Sequence, residues 1–253
     1  MNFVIAADYN ALSSAAADRI ESLARAKPNA ALGLPTGETP VGVYREFARR
    51  VRESRLPLPL GEGRGEGLDL SHLTIFVLDE YLDVGRGDPR CLADWLDRDL
   101  IRPCEIAPGR VHVFDGLSAE PTLTCAEYEA AIVEVGGIDL QLLGLGPNGH
   151  VGFNEPGSRP DSRSRVVRLA AESIASNARY WGGPDRVPRY GLTMGLATLR
   201  QAREILLLVS GANKAKILRE VVEGPMTNDV PASLLRDHPN VTVMADREAA
   251  ADL

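Results

Sequence analysis

The feature that most constrains the fold of this chain is the alternation of short apolar runs with longer amphipathic segments along its whole length. The apolar runs contain no polar alternation, which is typical of strands in a parallel sheet buried on both faces. The predicted strands are residues 2–6, 30–34, 73–78, 111–113, 140–143, 204–209 and 241–245, and the predicted helices are 10–26, 40–53, 92–101, 121–135, 192–199 and 212–222. This order predicts a layered α/β fold.

Composition narrows the class of protein further. The chain has 253 residues, and we expect them to form a single domain, 1–253. A net charge of −7 argues against nucleic acid as a partner. The apolar runs are too short to span a bilayer, and the N-terminus does not resemble a signal peptide. Three cysteines without metal-ligand spacing indicate free thiols, a cytoplasmic location and no metal site.

Two segments interrupt the strand and helix pattern. Residues 56–67 contain two prolines and then a glycine at every second position, which predicts a flexible surface insertion. Residues 156–188 are rich in Gly, Ser, Pro and Arg and are predicted to be irregular. A segment of this kind inside a compact domain is typical of an active-site cover, so we expect a mobile lid at about 157–188.

The first candidate site follows the second predicted strand. Thr39 is a suitable N-cap and Pro40 suits the first helical position. Free N–H groups from Gly37 to Thr39 would then form a pocket for an anion such as phosphate. An ordinary capped helix start is the alternative, and the carboxylate of Glu38 would disfavour phosphate unless it points away.

Candidate acid–base groups follow two other predicted strands. Asp79 and Glu80 come at the end of an apolar strand, where Asp79 is either a general base or a turn former. Gly144, Gly146 and Gly149 match a dinucleotide-binding pattern only formally, because no helix can follow before Pro156. We expect these glycines to admit a small ligand. The same loop holds His150 with Glu155, Asn148 and Asn154, which favours an acid–base unit.

Cationic residues gather near the predicted lid and after the sixth predicted strand. They are Arg163, Arg165, Arg168, Arg179 and Lys214. A cation at the start of a helix opposes the helix dipole, so Lys214 indicates either an anionic ligand or a merely solvated side chain.

Three motifs in this order resemble those of the glucosamine-6-phosphate deaminases. They are Leu-Pro-Thr-Gly-Glu-Thr-Pro at 34–40, Leu-Asp-Glu-Tyr at 78–81 and Gly-His-Val-Gly-Phe-Asn-Glu-Pro at 149–156. The resemblance covers nearly the whole chain. It implies a modified doubly wound, mostly parallel sheet flanked by helices, with a mobile lid. It also implies conversion of D-glucosamine 6-phosphate and water to D-fructose 6-phosphate and ammonia.

The resemblance also implies roles for individual residues. Asp79 matches the base that moves a proton between C2 and C1, His150 matches the acid–base group that opens the sugar ring, and Glu155 matches its carboxylate partner. The positions that match phosphate contacts are Thr36, Gly37, Glu38, Thr39, Arg179 and Lys214. An aldose–ketose proton shift through an enediol(ate) uses the substrate's own aldehyde as the acidifying group, so we expect no cofactor.

The chain departs from the family pattern at three places. Asn148 stands where many members carry Asp, so we expect His150 to rely on Glu155 for charge. Val167 and Arg159 stand where members activated by N-acetylglucosamine 6-phosphate carry Lys and Ser, which predicts no such activation. Residues 88–92 read Asp-Pro-Arg-Cys-Leu where members usually carry His-Pro-x-Ser-Tyr.

Three other functions remain open from the sequence. A galactosamine-6-phosphate deaminase would differ only in the sugar epimer. A 6-phosphogluconolactonase needs no base at C2, so residues 79–81 and 153–156 count against it. A sugar-phosphate-sensing regulator domain would need a DNA-binding segment, which this chain does not show. We expect a small amino-sugar phosphate as ligand, with no nucleic acid or membrane partner and with a homo-oligomer possible.

Overall fold

A computed structural model describes residues 1–55 and 67–253. The strands are β1 (Asn2–Ala6), β2 (Ala31–Leu34), β3 (Thr74–Val77), β4 (Asp79–Tyr81), β5 (Val111–His112), β6 (Leu140–Gly144), β7 (Arg165–Arg168), β8 (Tyr190–Thr193), β9 (Ile205–Val209) and β10 (Val241–Asp246). The α-helices are α1 (Tyr9–Ala26), α2 (Glu38–Ser54), α3 (Leu92–Leu96), α4 (Pro121–Glu134), α5 (Ala171–Trp181), α6 (Leu196–Leu199) and α7 (Ala215–Glu223). A π-helical turn, Asp97–Ile101, continues α3.

Seven strands form a parallel sheet in the order β1-β10-β9-β6-β2-β3-β5. Helices cover both faces, because Leu206 and Leu208 of β9 pack in the cluster that holds α1 and α2. Leu207 and Val209 pack in the opposite cluster, which holds residues of α4 and α7. Every residue of β9 is therefore buried, which explains its uninterrupted apolar sequence and confirms the predicted α/β class.

The order of the strands also places a crevice. From β2 the chain moves outward through β3 to β5, and from β6 it moves the other way through β9 to β10. The loops after β2 and β6 consequently diverge above the sheet at the carboxyl ends of these strands. Ligands bind at such switch points in open α/β sheets.

A second, antiparallel sheet of three strands in the order β4-β8-β7 was not predicted from the sequence. The chain passes from one sheet to the other at Leu78. Its N–H donates to the carbonyl of Leu34 at 3.0 Å, and its carbonyl accepts from Met194 at 3.0 Å. Asp79 therefore lies where the two sheets meet.

Several predicted boundaries are wrong. The predicted helix 192–199 contains the end of β8 and only the short α6, because residues 190–193 pair with β7 and residues 191–193 also pair with β4. The predicted lid, 157–188, is not irregular, since it contains β7 and α5. Its mobility and the single-domain organisation stay predictions. The predicted insertion 56–67 lies outside the described residues except for Gly67.

The start of α2 also differs from the prediction. The helix begins at Glu38, one residue before the predicted cap at Thr39, and Gly37 is its N-cap with φ of 118°. This left-handed backbone suits glycine, and it turns the chain into the helix without a side-chain cap. Within the described part of the chain, no helix is both long and apolar enough to cross a membrane.

Candidate active site

A cavity of about 570 Å³ opens at the carboxyl ends of β2, β3, β6 and β9. The predicted site residues that line it are Thr36, Gly37, Glu38, Thr39, Asp79, His150, Arg179 and Lys214. Asn148 and Glu155 lie behind His150 and contact it through hydrogen bonds. Residues far apart in sequence thus meet at the topological switch point, as the strand-end argument predicted.

Asp79 is the buried carboxylate of this cavity. Only 6% of the residue is exposed, and Oδ1 has no hydrogen-bond partner among residues 1–55 and 67–253. Burial, followed by the nearby charge of Glu80, raises the pKa of Asp79 to about 8. An unpartnered carboxylate with a pKa near neutrality can take up a proton from a ligand and return it.

Glu80 has a different task from its neighbour. Its carboxylate accepts the N–H groups of Leu92 at 3.1 Å and Ala93 at 3.0 Å, and the thiol of Cys91 at 3.1 Å. It therefore caps the start of α3, and burial raises its pKa. Cys91 is one of the departures from the family resemblance at residues 88–92, and its thiol supplies the donor that a serine hydroxyl would supply. This accounts for one of the changes in residues 88–92.

His150 is held from its Nδ1 side by a relay of polar groups. The Oδ1 atom of Asn148 lies 2.6 Å from Nδ1, and its Nδ2 donates to Glu155 Oε2 at 3.1 Å. Glu155 Oε2 is itself 3.4 Å from Nδ1. In neutral His150 this network places the proton on Nδ1 and leaves Nε2 free to accept one at the cavity.

Glu155 is ionised in this arrangement. Burial alone would raise its pKa, but hydrogen bonding and charge from His150, with further hydrogen bonds from Ser173 and Asn148, lower the pKa below its usual value. The carboxylate can then stabilise an imidazolium both directly and through Asn148. Asn148 thus does not interrupt the link between His150 and a negative charge.

The glycines of the loop after β6 are required for different structural reasons. A Cβ at Gly146 would lie 2.3 Å from Cε1 and Nε2 of His150, so this glycine makes room for the histidine ring at the wall of the cavity. A Cβ at Gly144 would meet nothing within 4 Å, and Gly144 lines the cavity. Both Gly144 and Gly146 line the cavity, as expected for glycines that admit a ligand, and Gly146 is also required by the position of the His150 ring.

The cations divide into two groups. Lys214 lies at the cavity wall and donates to the carbonyl of Leu145 at 2.7 Å. Burial lowers the pKa of Lys214 below its usual value, and the charge of Glu38 offsets part of this decrease. Arg179 projects from α5 toward Glu38, 2.9 Å away. The three remaining predicted arginines, Arg163, Arg165 and Arg168, are not among the lining residues of the cavity. Arg163 contacts Glu129 and Gln201, Arg165 contacts Asn154 and Ser158, and Arg168 is exposed. Arg90, which was not predicted, lines the cavity.

The sequence missed the contribution of α5 beyond Arg179. Ser173 is buried, and its hydroxyl lies 3.3 Å from His150 Nδ1. Ser176, Asn177 and Tyr180 line the cavity. Ser176 and Asn177 precede Tyr180 by four and three residues, a spacing that places side chains on one face of a helix. The prediction of an irregular segment at 156–188 does not use this signal.

The fold and site together define an α/β protein with an acid–base centre and a cationic pocket for a small anionic ligand. In the part of the chain that the structure describes, no group of three or more His, Cys, Asp or Glu side chains could hold a metal ion. The model of the family described as glucosamine-6-phosphate isomerases/6-phosphogluconolactonase matches residues 7–244. The chain belongs to this family.

Individual relatives are similar over their whole length. A glucosamine-6-phosphate deaminase of Halothermothrix orenii is 40% identical over 251 residues, covering 99% of both chains. A glucosamine-6-phosphate deaminase of Arthrobacter sp. is 42% identical, covering 100% of this chain and 93% of the relative. Among solved structures, a monomeric glucosamine-6-phosphate deaminase superposes with a TM-score of 0.93 at 37% identity, covering 100% of both chains.

Proposed function

We propose that this chain is a glucosamine-6-phosphate deaminase, which converts D-glucosamine 6-phosphate and water to D-fructose 6-phosphate and ammonia in amino-sugar catabolism. The observation that carries the proposal is the buried, unpartnered carboxylate of Asp79 in the same cavity as His150, Arg179 and Lys214. Relatives at 40% and 42% identity that carry this name support it. The buried, unpaired cysteines fit a reducing cytoplasm.

The first step assigned to the site is opening of the pyranose ring. His150 Nε2 takes the proton of the C1 hydroxyl and returns one to the ring oxygen as the C1–O5 bond breaks, which gives the open-chain aldehyde. The relay through Asn148 to Glu155 stabilises the imidazolium that forms between the two transfers. The phosphate binds at the start of α2, where the N–H groups of the first turn are free, with Arg179 and Lys214 as counter-charges.

The second step is the proton shift and the loss of ammonia. Asp79 removes the proton from C2, which the C1 aldehyde acidifies, and returns it to C1. O1 takes up a proton from solvent as the C1–C2 enolamine forms, and the amino group releases one to solvent as C1 is protonated. C2 is then an imine and C1 an alcohol. Water adds to C2 and ammonia leaves, so the C2 ketone of fructose 6-phosphate forms. Hydrolysis of a lactone at C1 leaves the C2–H bond intact and needs no base at C2, and a buried base at this position therefore favours the deaminase.

The experiment that tests this function compares two epimers. Ammonia release from glucosamine 6-phosphate and from galactosamine 6-phosphate is measured with the purified chain, with Asp79→Asn as the inactive reference. Turnover of the glucosamine epimer with saturation supports the proposal. Turnover of only the galactosamine epimer assigns the other sugar, and hydrolysis of 6-phosphogluconolactone without ammonia release rejects the deaminase.

The carboxylate of Glu155 gives a more specific expectation for the relay. Glu155→Gln replaces the carboxylate that contacts Asn148 and His150 with an uncharged amide of the same shape. We expect kcat to fall by roughly 10- to 100-fold, because part of the acid–base contribution is lost. Steady-state ammonia release measures this, with Glu172→Gln on the exposed face of α5 as control. Unchanged turnover would show that Asn148 alone suffices.

Regulation by N-acetylglucosamine 6-phosphate is not expected. Arg165 already donates to Asn154 at 2.9 Å and to Ser158 at 3.1 Å, and Val167 offers no charge. We expect a hyperbolic rate curve that this compound leaves unchanged in shape. Initial rates over a range of substrate concentrations with and without the compound check it. A sigmoidal curve that straightens on addition contradicts it.

A further inference from the structure

Glu38 crosses the mouth of the cavity. Its Oε2 lies 2.9 Å from Nη2 of Arg179, and its Oε1 accepts the hydroxyl of Tyr180 at 2.9 Å. The guanidinium of Arg179 lies 4.7 Å above the Tyr180 ring, and that ring packs edge-on against Trp95 at 5.0 Å. Both carboxylate oxygens of the first residue of α2 are therefore bound to the last turn of α5.

The backbone of this turn is held by hydrogen bonds, while the side chain of Glu38 is largely exposed to solvent. The hydroxyl of Tyr9 contacts the carbonyls of Glu38 at 2.9 Å and Thr39 at 3.0 Å, and it accepts the N–H of Gly42 at 2.8 Å. The Glu38 side chain, in contrast, is 65% exposed. The Glu38 carboxylate can therefore leave Arg179 by a change of side-chain rotamer, without any change in the backbone at the start of α2.

The position of Glu38 conflicts with the binding of a phosphate. Arg179 is one of the two cations proposed to hold the substrate phosphate, and Glu38 also interacts electrostatically with the other, Lys214. A carboxylate and a phosphate dianion both bind a guanidinium through charged hydrogen bonds, so they compete for the same donors. They also repel each other across the start of α2.

We propose that Glu38 is an internal counter-ion, a positioning residue that holds Arg179 in the free protein and that the phosphate of substrate or product must displace. The identity of the ligand rests on the proposed function, whereas the exchange at Arg179 applies to any phosphate. Each phosphate binds more weakly by the free energy of the contact that it replaces. The same contact re-forms as the product leaves, and it therefore favours release of fructose 6-phosphate.

Glu38→Gln tests the exchange directly. The amide keeps a partner for Tyr180 but removes the charge that holds Arg179. We expect the Kd of inorganic phosphate, measured by titration calorimetry, to fall about five- to tenfold, since tenfold corresponds to about 1.4 kcal/mol. The KM for glucosamine 6-phosphate and the inhibition constant of fructose 6-phosphate fall by a similar factor. Glu53→Gln, at the other end of α2, serves as control and leaves all three constants unchanged.

A double-mutant cycle separates the exchange from a general effect of charge. In an Arg179→Ala background, Glu38→Gln should lower the phosphate Kd by less than about twofold, because the Arg179 contact that phosphate displaces is absent and only the weaker charge effects of Glu38 on Lys214 and on the phosphate remain. A decrease as large as in the parent protein would overturn the proposal in favour of long-range repulsion. Weaker phosphate binding by Glu38→Gln in the parent would also overturn it, because Glu38 would then help Arg179 to bind phosphate.

The failure of this proposal can be distinguished from failure of the proposed function. Phosphate binding requires no turnover. Tighter phosphate binding without ammonia release by either protein would support the exchange at Arg179 and reject the reaction. Ammonia release with equal phosphate affinities in both proteins would support the reaction and reject the role of Glu38.

Discussion

Asp79→Asn should reduce kcat for ammonia release by about 10³-fold or more while the fold is retained. The proton on C2 is removed only by a base placed over the C1–C2 bond, and general base catalysis contributes roughly 10²- to 10⁴-fold. The amide has the same shape as the carboxylate but accepts no proton. Ammonia release with a coupled assay measures the loss, and Asp115→Asn, in an exposed loop, is the matched control.

The pH dependence follows from the raised pKa of the same carboxyl. The base must be deprotonated, and burial together with Glu80 raises its pKa to about 8, so kcat/KM should rise with pH through that value. A rate that is flat between pH 6 and 9 would contradict the assignment of Asp79 as the base.

Stability should change in the opposite direction to activity. The folded protein retains the Asp79 proton up to a pKa of about 8, whereas the unfolded chain loses it near 3.8. The wild-type free energy of unfolding therefore falls as pH rises between these two pKa values, by ~1.4 kcal/mol for each pH unit. Asp79→Asn should accordingly be several kcal/mol more stable than the wild type at pH 8.5 and no more stable at pH 4. Urea unfolding at both pH values measures this difference.

His150→Gln should lower kcat by about 10²- to 10³-fold through a different step. The variant removes the free Nε2 that moves a proton between the C1 hydroxyl and the ring oxygen, and the general acid–base contribution is lost. Spontaneous ring opening still supplies some open-chain substrate, so turnover is reduced but not abolished. Steady-state ammonia release measures the loss.

Two measurements separate the roles of His150 and Asp79: the exchange of the C2 proton with deuterium and the rate of interconversion of the anomers. Asp79→Asn should still accelerate interconversion of the anomers of glucosamine 6-phosphate, as followed by NMR, but should not exchange the C2 proton with deuterium. His150→Gln should fail to accelerate anomer interconversion. Loss of anomer interconversion in Asp79→Asn, with retention in His150→Gln, would reverse the two assignments.

Prediction from the sequence was successful where a local pattern carried the signal. The uninterrupted apolar run of β9 and the amphipathic period of α1 set their types and nearly all of their bounds. The strand-end rule located Asp79, His150 and Lys214, because parallel strands bring their carboxyl ends to one edge of a sheet. Prediction of these three residues as site residues required no knowledge of the distances between them.

Prediction failed where neighbours distant in sequence decide the structure. The last two residues of β8 were predicted as the start of a helix, and they are strand because β4 and β7 pair with β8 on both sides. Ser173 was not recognised, because its approach to His150 depends on how α5 packs over the loop after β6. The exact start of α2 depends on the backbone angle of Gly37, which the cap pattern at Thr39 did not reveal.

The sequence by itself determined the α/β class, the family resemblance and the types of group available for acid–base chemistry. The tertiary structure alone decided what each group does. Asp79 and Glu80 are chemically similar and adjacent, yet one is left without a partner at the junction of two sheets and the other caps α3. Glu38 contacts Arg179 across 141 positions of sequence only because α5 lies over the start of α2. Burial, partners and charge separation are properties of the packed chain, and they set the pKa and the function of each side chain.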